Sequence, residues 1–176
     1  MADAAGRLDA YTADPRTILP LDEFHVPHRL ARVIRQGRFE IRINTAFPEV
    51  IRGCARRSDT WISTEIIRIY EELHRRGWVH SVEAWQLVSG ADRLCGGLYG
   101  VALGGAFCGE SMFYEVSDAS KVCTVALVER LRERGYRLLD CQMTTRNTAR
   151  FGARSVPLAE FRALLVRALA LDCHFA

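Results

Sequence analysis

LCGGLYGVALGGAFCGESMF, residues 94–113, is the stretch on which the fold turns. It carries no charge from Leu94 to Gly109, holds six glycines, and then breaks into Glu110-Ser111-Met112-Phe113. Its two apolar runs, parted at Gly104-Gly105, predict antiparallel strands joined by a tight turn. HSVEAWQLV (80–88), followed by the turn residues SGAD, predicts a further strand just upstream, and together these make the central sheet. Glycine weakens a strand, so six of them point to bulges or to places where another backbone or a ligand comes close. The uncharged stretch falls short of the roughly 20 residues that cross a bilayer.

Helical spacing appears on both sides of this segment. Upstream, LDEFHVPHRLARVIRQGR predicts a short basic helix from about Pro27, with Leu30, Val33 and Ile34 on one face and Gly37 as its end. FEIRI alternates as a strand, and Phe47, Val50, Ile51 and Cys54 then fall at helical spacing. Ser63 is placed to cap a helix bearing Ile66, Ile69, Tyr70 and Leu73, which Gly77 stops. Downstream, Ser117 or Asp118 precedes a helix through Val122, Ala126, Leu127 and Leu131. After Gly135, YRLLDCQ reads as a buried strand ending in polar residues, and Pro157 opens a last helix. This order predicts an α+β fold, helices packed on a mainly antiparallel sheet.

The 176 residues suit one domain, and 49% apolar with 26% charged residues is an ordinary globular composition. The first residues lack an apolar segment after a basic start, so no export signal is read and the expected location is cytoplasmic. The net charge is +3, yet the basic residues are 23 arginines and the single Lys121. Arginine's planar fork suits phosphate, although such a bias also follows from base composition. Six cysteines show no C-x-x-C pair and no zinc spacing, so no metal is expected. No G-x-x-x-x-G-K-[ST] is present, which removes a P-loop.

Two polar clusters remain as chemistry. Asp140 and Gln142 are separated by one residue, which in a strand turns both side chains to one face, while Cys141 turns to the other. With Glu110 at the end of a neighbouring strand, three polar groups converge at one edge of an apolar sheet. No Ser-His-Asp or Cys-His spacing suggests covalent catalysis.

Taken in order, FHVPHRL, TWIS, HSVEAW, GGLYGVALGGAFCGESMF, DASK, LLDCQ and FGAR resemble the bacterial leucyl/phenylalanyl-tRNA-protein transferases over nearly the whole chain. The resemblance implies transfer of leucine or phenylalanine, or methionine, from aminoacyl-tRNA to the N-terminal arginine or lysine of a protein, in N-end-rule degradation. It implies a GNAT-like acyltransferase core over residues 39–176, preceded by an arm and basic helix at 1–38 that stand for the family's N-terminal part. It makes Asp140, Gln142 and Glu110 the catalytic residues, either with Asp140 polarising Gln142 or with the tRNA ribose hydroxyl assisting the transfer. Leu98, Met112 and Phe113 would line the amino-acid pocket, and Trp61 would stack on adenine. Arg29, Arg32, Arg35, Arg56 and Arg57 are the candidate tRNA contacts. A monomer without cofactor is implied, since an aminoacyl ester is already activated and needs chiefly positioning.

Two departures stand out. The family's Y-x-x-G-x-F-P-W segment is absent upstream, and Asn147 and Arg150 stand where H-L-x-S-L-G-A has its histidine and serine. These keep a second reading open, an aminoacyl-tRNA-binding module without catalysis. An acyl-CoA-dependent N-acyltransferase is disfavoured, because YEVSDASKV follows GESMF where a Q/R-x-x-G-x-G/A pyrophosphate loop would be expected.

Overall fold

The computed structural model describes residues 12–56 and 60–176. In chain order the elements are β1 (Arg16–Ile18), α1 (His28–Arg35), β2 (Glu40–Ile43), α2 (Phe47–Ala55) and α3 (Thr64–Arg75). There follow β3 (Val79–Val88), β4 (Ala91–Leu103), β5 (Ala106–Tyr114), α4 (Ala119–Glu133) and β6 (Leu138–Gln142). The chain closes with α5 (Arg146–Ala149), β7 (Arg154–Val156) and α6 (Leu158–Leu169). One sheet runs β2-β3-β4-β5-β6-β1-β7, antiparallel throughout except for the parallel pair β5–β6.

Helices cover both faces, because both carry apolar side chains that must be buried. On one face α1 and α4 bury Leu30, Val33, Cys123, Val128 and Leu131 together with Val82, Leu98 and Phe107 of the strands. On the other, α2 and α3 pack Phe47, Val50, Ile51 and Ile66 against Val79 and Tyr99, and α6 packs Phe161 and Ala168 against Ile18, Ala106 and Leu138. That second face therefore carries two separate clusters with a gap between them.

Local chemistry sets the ends. The Ser63 hydroxyl accepts from the Ile66 N–H at 3.3 Å, a cap worth about 1 kcal/mol. Asp118 occupies the N-cap position of α4 without a side-chain cap, because its carboxylate is held instead by Lys121 at 2.5 Å. The β4–β5 turn needs Gly104 at φ +53, and a Cβ there would lie 2.8 Å from the Leu169 carbonyl at the end of α6. Opposite Gly100 the register shifts, leaving Glu110 as an extra residue in β5. This bulge is one of the features that the glycine content predicts.

The described part of the expected N-terminal arm runs inside the sheet. β1 lies between β6 and β7, and Leu19 and Leu21 are buried in the α4 core. Residues 1–11 lie outside the described residues.

Glu83 is fully buried in β3, forms no ion pair among the described residues, and has five donors around its carboxylate. The Thr45 and Ala46 N–H groups at the start of α2 reach Oε1 at 3.0 and 2.9 Å, and the Ser81 hydroxyl reaches it at 2.7 Å. The Thr45 hydroxyl and the Trp85 indole N–H donate to Oε2. Strand β3 and helix α2 are thereby joined through one side chain.

Candidate active site

β5 and β6 pair in parallel over Ala106–Cys108 and Leu138–Asp140 and then part. Beyond that point Gln142 spans the opening, its Nε2 donating to the Gly109 carbonyl at 3.1 Å and to Glu110 Oε2 at 3.4 Å. Its backbone is left-handed at φ +65, a conformation costly for a residue with a Cβ. The register of β1 against β6 skips Cys141, so the strand kinks where Gln142 turns.

The kink is held by Asp140, only 1% exposed, whose Oδ1 accepts the Gln142 backbone N–H at 2.8 Å. Both carboxylate oxygens also meet Arg16, at 3.0 Å from Nε and 2.6 Å from Nη2. The Arg16 guanidinium lies 5.1 Å from the centroid of the Phe161 ring of α6. Its pKa is raised above the ordinary arginine value, chiefly by the hydrogen bond to Asp140. The family resemblance implies that Asp140 acts on the side-chain amide of Gln142. In the structure it takes the backbone N–H, because the left-handed turn brings that group back onto its own strand.

Glu110 stands in the bulge near Tyr70 of α3, and the two groups act on each other electrostatically. Burial raises the Glu110 pKa above the ordinary carboxylate value, against the opposing effects of the Gln142 hydrogen bond and of Tyr70. Tyr70 is itself pushed up, by burial first and then by Glu110. Trp61 meets Tyr70 edge-on, 6.5 Å between ring centroids. Cys108 is pushed up to about 12 by burial and by Asp140 and Glu110, so its thiol is no nucleophile at neutral pH. From Trp61 to Phe161 the polar groups thus form one line across the gap between α3 and α6.

Asp140, Gln142 and Glu110 come together, with Trp61 two contacts away. Leu98 and Met112 are cross-strand partners that pack with the α4 core, whereas Phe113 belongs to the α2–α3 cluster, so these three do not share one wall. Asn147 of α5 donates to the Met112 sulfur at 3.0 Å, which ties the altered loop to that strand. Hydroxyls of Thr17, Thr144 and Ser155 lie within 2.9–3.3 Å of one another beside Gln142 and pin the same loop.

The arginines do not form one patch. Arg29, Arg32 and Arg35 are exposed on α1, over the α4 face. Arg56 stands at the end of α2 on the opposite face, paired with Glu115 at 2.7 Å. Arg57 lies outside the described residues. Among the described residues no cluster of three or more His, Cys, Asp or Glu is arranged to hold a metal, and no helix is long and apolar enough to cross a membrane.

Sequence reasoning missed Arg16 and Tyr70. Nothing in TADPRTILP marks a half-buried arginine paired with a distant carboxylate. Tyr70 stood on the apolar face of α3, where a phenol seeks a buried partner, and that was an available signal.

Residues 18–166 match the family model described as leucyl/phenylalanyl-tRNA protein transferase. The chain belongs to that family. A protein named leucyl/phenylalanyl-tRNA--protein transferase from Rubrobacter xylanophilus is 58% identical over 176 residues, covering all of this chain and 91% of its own. Namesakes from Gloeobacter violaceus and Herpetosiphon aurantiacus are 54% and 52% identical, each with 89% of its own length covered. The solved L-PGS of Bacillus licheniformis overlaps 89% of this chain and 65% of its own at 12% identity and a TM-score of 0.46, a likeness that carries no argument.

Proposed function

We propose that this aminoacyltransferase moves leucine or phenylalanine from its charged tRNA to the N-terminal arginine or lysine of a protein, as a cytoplasmic monomer of the N-end-rule pathway. The observation that carries the reading is the polar line Glu110–Gln142–Asp140 at the point where the parallel strands of an otherwise apolar sheet part, within a chain of this family. Opening of the sheet at the carboxyl end of parallel strands also supports a GNAT-like core.

The reaction needs little beyond positioning. The lone pair of the neutral α-amine attacks the ester carbonyl carbon, and the adduct collapses with loss of the ribose oxygen. One proton passes from the nitrogen to that oxygen, leaving a peptide bond and uncharged tRNA. With the NH2 end of Gln142 held by Gly109 and Glu110, its Oε1 is the end offered to an amine N–H. Such a preorganised acceptor costs nothing to orient when the reaction occurs. Glu110 and Tyr70 would meet the terminal adenosine and aminoacyl group, with Trp61 as the stacking surface. Leu98 and Met112 would shape the amino-acid pocket from the α4 side and Phe113 from the other. Arg29, Arg32 and Arg35 would receive tRNA phosphates.

The test is transfer of labelled leucine from charged tRNA to a peptide beginning with arginine, beside the same peptide beginning with alanine. Transfer to the first alone is expected. Binding of charged tRNA without transfer would establish the non-catalytic reading instead.

A further inference from the structure

We propose that Arg16 is a positioning residue of the transfer reaction, acting through Asp140 to hold Gln142 in its turned, amine-accepting geometry. The inference rests on the functional reading above and adds to it a residue far in sequence from Asp140 and Gln142.

Geometry carries the case. Asp140 is 1% exposed, and a carboxylate so placed needs a partner to remain charged and fixed. Arg16 supplies two bonds in the planar fork that matches a carboxylate. The fork leaves Oδ1 aimed at the Gln142 N–H, 2.8 Å away, and that bond opposes the cost of φ +65 at a residue with a Cβ. The turned backbone in turn sets the amide on Gly109 and Glu110. Arg16 is itself restrained, since β1 is paired on both sides and Phe161 underlies the guanidinium. No substrate atom need touch it.

The experiment measures single-turnover leucine transfer to an arginine-initiated peptide by the parent, Arg16→Met, Arg16→Lys, Asp140→Asn and Arg16→Met with Asp140→Asn, with thermal unfolding of each. Asp140→Asn should lose about 10²-fold or more, as for a lost preorganised electrostatic group. Arg16→Met should lose at least about tenfold with KM for charged tRNA within about threefold, the signature of a group that serves the chemical step rather than binding. Arg16→Lys should recover part of that loss. The double variant should match Asp140→Asn within about threefold, because a residue acting only through Asp140 has nothing left to act on. If Arg16→Met does not fold, the double variant, which buries no unpaired charge, decides alone. A double variant at least about tenfold slower than Asp140→Asn overturns the proposal, as does a folded Arg16→Met within about threefold of the parent. A parent without transfer overturns the functional reading and this one with it, whereas an active parent failing these comparisons overturns this one alone.

Discussion

Replacing Glu83 by glutamine tests whether a buried carboxyl group ringed by hydrogen-bond donors stabilises this fold. Glutamine keeps Oε1 and with it the Thr45, Ala46 and Ser81 donors, but places an NH2 group where Oε2 meets the Trp85 indole N–H at 3.3 Å. Two donors then face each other, while the Thr45 hydroxyl can rotate to accept. The loss is one hydrogen bond to a charged acceptor, about 1.5–3 kcal/mol. To this is added about 0.3–1 kcal/mol for a carboxylate at the N-terminus of α2. Glutamine spares the cost of burying charge, but five donors already replace the water that burial removed. The net expectation is a destabilisation of about 2–4 kcal/mol, which in a chain of this size lowers Tm by roughly 5–15 °C. Thermal unfolding of parent and Glu83→Gln at neutral pH measures it. An unchanged or raised Tm would mean that desolvation outweighs the donors, and the reasoning would fail.

Other consequences follow from the site and its surroundings. Gly100→Ala would set a Cβ 2.3 Å from the Cys108 carbonyl and 2.4 Å from the Phe107 ring, so the bulge presenting Glu110 must move. About 1–3 kcal/mol of stability should be lost together with transfer activity, and full activity at unchanged Tm would refute the placement of Glu110 by the bulge. Because the folded-state pKa of Glu110 is raised, the stability it contributes is complete below the ordinary glutamate range and lost as pH rises through the raised value. Urea midpoints should thus show Glu110→Gln gaining on the parent as pH rises, while transfer falls; a gap constant with pH would contradict the assignment. Replacing Arg29, Arg32 and Arg35 by alanine should flatten the log-log salt dependence of charged-tRNA binding by roughly 0.7–0.9 per phosphate contact. Arg56→Ala should leave that slope alone, since its partner is Glu115, and a steeply changed slope would move the tRNA path to the α2 face.

Much of the architecture was legible because long elements carry their own punctuation. Ser63 and Gly77 bracket α3, and the Gly104-Gly105 turn divides β4 from β5. The three-residue strands β1 and β7 and the four-residue α5 are too short to show any period, and each exists only through partners distant in sequence. The same contrast runs through the site. Asp140, Gln142 and Glu110 stand at strand ends, where alternation places polar groups, so their convergence could be read. Arg16 could not, because its partner lies 124 residues away. Glu83 left a trace in the sequence, a carboxylate within HSVEAW, the part of β3 that is largely buried. The Leu98, Met112 and Phe113 grouping overlooked the pleat, which sends Met112 and Phe113 to opposite faces.

The place of β1 between β6 and β7 bears on how the molecule is made. A chain growing at about 5–20 residues per second incorporates Arg16 roughly 6–25 s before Asp140. During that interval β1 has neither neighbour, and the strands that flank it come from the last third of the sequence. Contacts of such long separation form late in folding, after the local helices and the β3–β4–β5 meander. A half-made chain on the ribosome, surrounded by charged tRNA, therefore has no assembled polar line with which to spend it. Completion of the site coincides with completion of the fold.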